Sequence, residues 1–417
     1  MRRRTVAIAT ALTLLAAGCG RGDSGGPETA EAVAEGKASG EITVWAMGTE
    51  GEKLAGFAKD FTTENPDAKV TVTAIPWDAA HQKIAGAIAA KQTPDISMIG
   101  TTFQGEFAKS GALDPTPTDL FSKNSYFPGA WDSTVVDGTA YGVPWYVETR
   151  GIYYRKDLAA KAGITTAPKT WDDLKALAKA LQSGGAKWGF NLQPGKTGSW
   201  QSVMPYAWSN GAEITDGDKF TFDTPQMTEA LQYYQSFFTE KLSPTDLPEG
   251  QLEPDFVAGR IGAFMSGPWH VGILNEQGGA GFAGKYAVAP MPVKQTGTSF
   301  IGGSNIAVFK DAKNRDAAWK FIQWLSRPEV QVKWYSTVSD LPAVQAAWQD
   351  PALTGDAILS TFGEQLKDAK APPAIPTWEQ VSAAFDTEVE KLAVAGQSPA
   401  DTAKAIEAKA TSIGTGS

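Results

Sequence analysis

Cysteine occurs once and histidine twice in the 417 residues, which removes most nucleophilic triads and any Cys/His zinc site. A phosphate loop of Walker type is absent, and the glycines of residues 48–51 do not match a dinucleotide-binding turn. Asp216 and Asp218 lack the rest of a twelve-residue calcium loop and its terminal Glu, so they read as turn residues. No metal and no cofactor is expected. After residue 20 no apolar run approaches membrane-spanning length. Positive charge is also the minority: 37 Lys and Arg stand against 46 Asp and Glu, a net charge of −9. That balance argues against nucleic acid and other polyanions as partners. No internal repeat of fixed period is visible.

What is present begins with an address. Arg2, Arg3 and Arg4 precede an apolar stretch over 6–17 that is too short for a good spanning helix, and small residues lead to Cys19. Residues 1–18 therefore read as a secretory leader. Leu15-Ala16-Ala17-Gly18 before the lone cysteine resembles the lipobox of bacterial lipoproteins. The resemblance implies cleavage before Cys19, lipidation of its thiol, and anchoring to the outer face of the plasma membrane rather than through it. A soluble secreted protein with an incidental thiol is the other reading. Residues 19–40 are too poor in apolar groups to fold and are expected to form a flexible tether.

A composition of 42 % hydrophobic and 20 % charged residues describes a globular chain, and its length asks for two domains or one bilobed domain. A β-rich run at 42–45, helical spacing of Leu54, Phe57, Ala58 and Phe61, and alternation over 70–75 make a βαβ unit with parallel pairing. A helix at 79–90 and a strand at 95–99 continue it, so the opening is doubly wound α/β. Thr170 caps a helix over 171–181, residues 188–190 read as a strand, and Asp216-Gly217 turns a hairpin. Strands are expected at 261–265, 286–289 and 300–309, the last interrupted by Gly302 and Gly303, which lets another backbone or a ligand approach. Helices follow at 316–325, 328–335, 351–369, 378–395 and 399–413.

The positive anomaly is tryptophan, with fourteen copies. Trp77, Trp145, Trp269 and Trp378 each stand just after a proline turn. Aromatic faces beside polar groups suit carbohydrate, whose rings carry apolar C–H faces and a rim of hydroxyls. Trp269 sits at a strand-to-helix corner within 264–270, where α/β proteins bind ligands; a core plug is its alternative. Glu148 and Arg150 lie two apart on an extended chain and so share a face. A glycoside hydrolase needs only two carboxylates, so an anchored hydrolase stays open on composition.

Together, the lipobox, Thr93-Pro94-Asp95-Ile96, the stretch 138–157 with Tyr141-Gly142-Val143-Pro144, Ser266 to Trp269, 302–309 and 317–335 resemble the carbohydrate-binding group of ABC-importer solute-binding proteins, the family that includes maltose-binding proteins. The resemblance implies two doubly wound α/β lobes joined by crossover segments, closing on ligand by hinge motion. It places one lobe at 41–146 plus 305–340 and the other at 150–302 plus 342–417. It also implies a non-catalytic, monomeric receptor that delivers a neutral di- or oligosaccharide to an ABC permease. The family's ligand positions fall on Thr49, Glu50, Trp77, Thr101 and Thr102 in the first lobe and on Glu148 in the crossover. In the second they fall on Trp200, Trp269 and Trp378, with Trp145 at a further turn. Gly302, Gly303 and Ser304 are implied as donors. Arg150 either orients Glu148 or closes a salt bridge within a lobe. A polyol phosphate or an amine is the alternative ligand.

Overall fold

The computed structural model describes residues 28–416; the expected leader, residues 1–18, and Cys19 lie outside the described residues. Ten strands carry the frame: β1 (Gly40–Met47), β2 (Ala68–Ile75), β3 (Ile96–Gly100), β4 (Val143–Thr149), β5 (Gly151–Tyr154), β6 (Ala263–Ser266), β7 (Ala287–Ala289), β8 (Ser299–Val308), β9 (Leu341–Pro342) and β10 (Ala369–Lys370). The larger sheet has the order β9-β4-β8-β3-β1-β2, with β10 beside β8. β1 is parallel to β2 on one side and to β3 on the other. The strand order therefore reverses at β1, and a crevice opens at the carboxyl ends of these strands.

A smaller antiparallel sheet, β6-β5-β7, lies in the second lobe. One residue, Arg150, separates β4 in the large sheet from β5 in the small one, so the chain passes between the two sheets there. β8 runs antiparallel to β4 within the large sheet. The two are laced together: Thr149 Oγ1 donates to the Phe300 carbonyl at 2.6 Å, and Ser299 Oγ donates to the Arg150 carbonyl at 3.0 Å. Gly303 permits the close approach. Its φ is +118°, and a Cβ there would lie 2.3 Å from the Tyr146 carbonyl oxygen.

Apolar periodicity accounts for the helices. Phe57, Phe321, Trp324 and Trp334 pack as one aromatic group beneath the large sheet. In the second lobe Trp171, Leu174, Leu231, Phe237 and Phe385 form a separate core. The helix Trp171–Ser183 starts where the sequence puts it, because Thr170 accepts from the Asp173 N–H while Asp173 accepts from the Thr170 N–H. That reciprocal cap satisfies two otherwise orphaned donors.

Three local expectations change. The helix read across 351–369 is two, Pro351–Thr354 and Ala357–Gln365, because Asp356 caps a new start by accepting from the N–H groups of Ile358 and Leu359. The stretch 188–190 makes only isolated bridges, Trp188 with Ile261 and the following Asn191 with Phe264. Residues 28–39, expected to belong to a flexible tether, lie against the first lobe. Few apolar groups do not prevent docking when the backbone finds partners. Arg315 Nη2 donates to the Glu31 carbonyl at 2.8 Å, the Ala34 N–H to Asp316 Oδ2 at 3.0 Å, and the Ala38 N–H to Asn65 Oδ1 at 2.9 Å.

Candidate ligand cleft

Just beyond the carboxyl ends of β1, β2 and β3 stand Thr49 and Glu50, Trp77, and Thr101 and Thr102 respectively. The Trp77 ring lies across glycines. A Cβ on Gly48 would come 2.9 Å from its Cδ1 and Nε1, and one on Gly100 would come 3.6 Å from its Cζ3. Gly48 also has φ +53°, so both its conformation and its neighbour require glycine. Thr49 is exposed, Thr101 and Thr102 are half-buried, and Glu50 is buried.

Trp269 is the first residue of the helix Trp269–Gly278, which follows β6. Its ring folds back over Gly267, where any Cβ would clash with it. The corner is braced from behind. Tyr153 donates its hydroxyl to the Gly267 carbonyl at 2.6 Å, His270 Nδ1 meets Ser266 Oγ at 2.7 Å, and His270 Nε2 meets Glu253 Oε1 at 2.9 Å. Burial holds the His270 pKa below its ordinary value against the pull of Glu253. Trp77 and Trp269, each 40 % exposed, are the only tryptophans among the exposed large hydrophobic side chains of the described residues.

The burial of β4 alternates: Trp145, Val147 and Thr149 are buried while Tyr146 and Glu148 are half-exposed. Period-two geometry thus puts Glu148 and Trp145 on opposite faces. Glu148 lies over Gly302, where a Cβ would approach its Oε1 to 3.0 Å. Arg150 Nη1 sits 3.3 Å from Glu148 Oε2, and Nη2 donates to Gln201 Oε1 at 2.5 Å. The guanidinium is flanked by the rings of Trp269 at 4.9 Å and Phe300 at 5.0 Å.

Around Tyr146 the expected Glu50 and Glu148 are joined by Asp340, which sequence reasoning missed. Burial first, then the negative charges of Asp340, Glu50 and Glu148, raises the pKa of the Tyr146 hydroxyl, and Asp340 accepts from Trp334 Nε1 at 3.0 Å. Burial raises the Glu50 pKa. Burial first, then the negative charges of Glu50 and Glu148, raise that of Asp340 well above the ordinary range. Asp340 follows a left-handed Ser339 at a helix end, and no periodic signal marks it. Asp386 was also missed. From the helix Trp378–Ala393 it accepts from the N–H groups of Gly198 and Trp200 and from Ser199 Oγ at 2.7–2.8 Å. These bonds fix the start of the helix Trp200–Ser209 beside a cavity of about 540 Å³. Trp77, Thr102 and Phe103 line that cavity from one lobe, and Lys196, Trp200 and Gln201 from the other.

Several expected ligand residues lie elsewhere. Trp145 is a core residue, 2 % exposed and stacked on Trp334 at 5.1 Å, so it offers no face to a ligand. Trp378 is 1 % exposed and meets Trp200 edge-on at 5.0 Å. Trp200 is itself buried, with Phe300 against its other side, and reaches the cavity only as part of its wall. The wholly buried Ser304 hydroxyl lies 3.0 Å from the carbonyls of Ile99 and Asn305, which leaves it engaged inside the sheet. Gly302 and Gly303 act through the room they leave for Glu148 and the Tyr146 backbone. Of the expected residues, Glu148, Arg150 and Trp269 are thus joined by direct contacts, Glu50 and Trp77 meet over Gly48, and Trp77 and Thr102 lie on the cavity wall.

A sequence profile of bacterial extracellular solute-binding proteins matches residues 46–332. The chain belongs to this family. Among its relatives, the diacetylchitobiose binding protein DasA of Streptomyces coelicolor is 28 % identical, over 98 % of this chain and 97 % of that protein. The maltotriose-binding protein of Pyrococcus abyssi is 26 % identical, over 84 % of this chain and 77 % of that protein. In three dimensions this solute-binding protein is similar to the sugar-binding protein MalE of Xanthomonas citri. The TM-score is 0.85 at 30 % identity, with 90 % of this chain and 97 % of that chain covered. The two-lobe α/β architecture is that of the MalE-type binding proteins. No helix among the described residues is long and apolar enough to cross a membrane.

Proposed function

We propose that this solute-binding protein captures a neutral di- or oligosaccharide and hands it to the permease of an ABC importer, without catalysis, while acyl chains on Cys19 hold it to the membrane. The observation that carries this reading is the pair of exposed indoles, Trp77 just after β2 and Trp269 just after β6, the second lying against Arg150, which pairs with Glu148. Indole faces stack on the C–H faces of a sugar ring, and a carboxylate accepts from its hydroxyls. A micromolar complex requires roughly 8 kcal/mol net, within reach of two stacking platforms and several charge-assisted hydrogen bonds. The sugars named for the relatives above support the same ligand class.

Closure brings the two platforms onto opposite faces of the ligand. The lobes we assign are 41–146 with 305–340, and 150–302 with most of 342–417. Residues 341–349 stay with the first lobe, since Val344 bridges to Tyr126 and Trp348 Nε1 donates to the Pro342 carbonyl at 2.9 Å. A phosphate ligand is disfavoured: the cations near the cleft are Lys196 and the already paired Arg150, amid Glu50, Glu148, Asp340 and Asp386. The test is a titration of intrinsic tryptophan fluorescence with α- and β-linked di- and trisaccharides, followed by recovery of the bound sugar. Saturable shifts with intact sugar are expected. No response to any member, or a cleaved sugar, overturns the reading.

A further inference from the structure

His81, one of the two histidines, lies in the helix Trp77–Ala90 four residues after Trp77, one turn on and on the same face. Its Nε2 meets Glu106 Oε2 at 2.7 Å. The imidazole stacks on Phe107 with ring centroids 5.4 Å apart and meets Phe103 edge-on at 5.1 Å. Phe107 is 1 % exposed and shares a small core with Ile84 and Ile99, so the imidazole has a fixed backing. Phe103 lines the cavity beside Trp77 and Thr102.

Phe103 sits in the turn that joins β3 to the helix Gln104–Lys109, where its N–H donates to the Gly100 carbonyl at 2.9 Å. Its side chain is half-buried. A phenyl ring in such a turn has two free torsions, and a ligand that orders it loses affinity unless neighbours fix it beforehand. Gly100 lies under two rings at once. A Cβ there would come 3.4 Å from Phe103 Cδ2 and Cε2 and 3.6 Å from Trp77 Cζ3. The two rings therefore flank one glycine at the carboxyl end of β3, and both belong to the cavity wall. Lys196, Gln201, Glu379 and Glu390 bring polar groups to the same cavity.

We propose that His81 and Glu106 are positioning residues for this cavity: their pair clamps Phe103 beside Trp77, so that the first lobe presents two neighbouring rings and selects a ligand with two consecutive pyranose rings over a single one. This rests on the reading that the cleft takes a carbohydrate. Glu106 anchors the imidazole through Nε2, Phe107 backs one of its faces, and the imidazole closes the space into which the Phe103 ring would otherwise turn. An aromatic ring that covers the C–H face of one sugar unit raises affinity about two- to tenfold beyond area burial, by analogy with aromatic pairs. Fixing the ring before the ligand arrives contributes a further factor of about two to ten. Both members of the pair are partly exposed, and pairs so placed add little to folding. The clamp therefore acts on binding rather than on the stability of the lobe.

The test has two arms on the full chain. In the first, 4-fluorophenylalanine replaces Phe103 and no sugar is added. The fluorine resonance is expected to be single and sharp, to shift and broaden in His81→Ala and in Glu106→Ala, and to stay as in the parent in Glu106→Gln, whose amide oxygen still accepts from the imidazole. In the second, maltose, cellobiose and diacetylchitobiose are titrated, each against its own monosaccharide, glucose or N-acetylglucosamine. The best disaccharide is expected to bind the parent at least tenfold tighter than its monosaccharide. That ratio, which a loss of active protein does not move, should fall at least fivefold in Phe103→Leu and at least twofold in His81→Ala, and Glu106→Gln should keep it. An unmoved fluorine resonance in His81→Ala overturns the clamp, and a parent-like ratio in Phe103→Leu overturns the two-ring platform. If no sugar binds the parent, the carbohydrate reading fails and the two-ring selection with it, while the fluorine spectra still decide the clamp.

Discussion

Replacing Trp269 with alanine tests the cleft most directly, because the same chemical change at Trp145 supplies the control. Trp269 leaves 40 % of its surface open. Taking on the order of 250 Å² for a tryptophan side chain, that is roughly 100 Å², of which a sugar ring covers about half. At about 25 cal/mol per Å² the covered part contributes on the order of 1 kcal/mol, and stacking adds about 0.5–1.5 kcal/mol. The sum, about 2 kcal/mol, corresponds to a roughly 30-fold rise in Kd. In the ligand-free protein the change removes the contact of the Arg150 guanidinium with the ring, worth about 0.5–1 kcal/mol. Trp145→Ala instead empties a buried site stacked on Trp334 and should cost about 3–5 kcal/mol of stability, a Tm loss on the order of 10 °C. Calorimetric titration and thermal melts read the two effects separately. If Trp269→Ala melts as low as Trp145→Ala and binds sugar like the parent, Trp269 is structural and the cleft reasoning fails.

Glu148→Gln should weaken sugar binding tenfold to a hundredfold, the value of a charge-assisted hydrogen bond at about 1.5–3 kcal/mol, with little change in Tm; an unchanged Kd would remove Glu148 from the site. Gly302→Ala puts a methyl 2.6 Å from the Phe300 ring and 3.0 Å from Glu148 Oε1. It is expected to cost about 1–3 kcal/mol of stability and to lower affinity, and a variant that melts and binds normally would contradict the packing described. The pH dependence follows from Glu50 and Asp340, both raised above their ordinary values of 4.5 and 3.8. Between those values and the raised ones the folded state binds more protons than the unfolded chain, so stability falls as pH rises. The pair's contribution is complete below about pH 4 and is lost as pH climbs through the raised pKa values. Asp340→Asn, which keeps an acceptor for Trp334 Nε1, should flatten the melting curve against pH and raise stability at neutral pH; an unaltered profile would contradict the coupling.

Much of the fold was legible because it rests on local rules. The capping pair Thr170 and Asp173, the alternation of 70–75 and the turn at Gly267-Pro268 are written in residues close together, and each produced the element it predicts. The exposure of Trp77 and Trp269 was readable for the same reason, since a proline turn at a strand's end leaves the next side chain uncovered. The error at Trp145 was avoidable. Counting by two from Glu148 along the same strand sends Trp145 to the opposite face.

Trp378 and Ser304 were not recoverable in this way. Whether an indole after a turn faces a cleft or a neighbouring helix depends on what packs there, and Trp200 and Phe300 come from segments far away in the chain. Asp340, Tyr146 and Glu50 converge from three elements, and Asp386 crosses 186 residues to hold Trp200. The sequence by itself determined the α/β succession, the acidic character and the turns that present aromatic side chains, all of which follow from composition or from neighbours within a few residues. The tertiary structure alone decided which of those side chains stay uncovered, which carboxyls crowd one another, and that residues 28–39 dock along a lobe, because each of these depends on contacts between chain segments that no local pattern records.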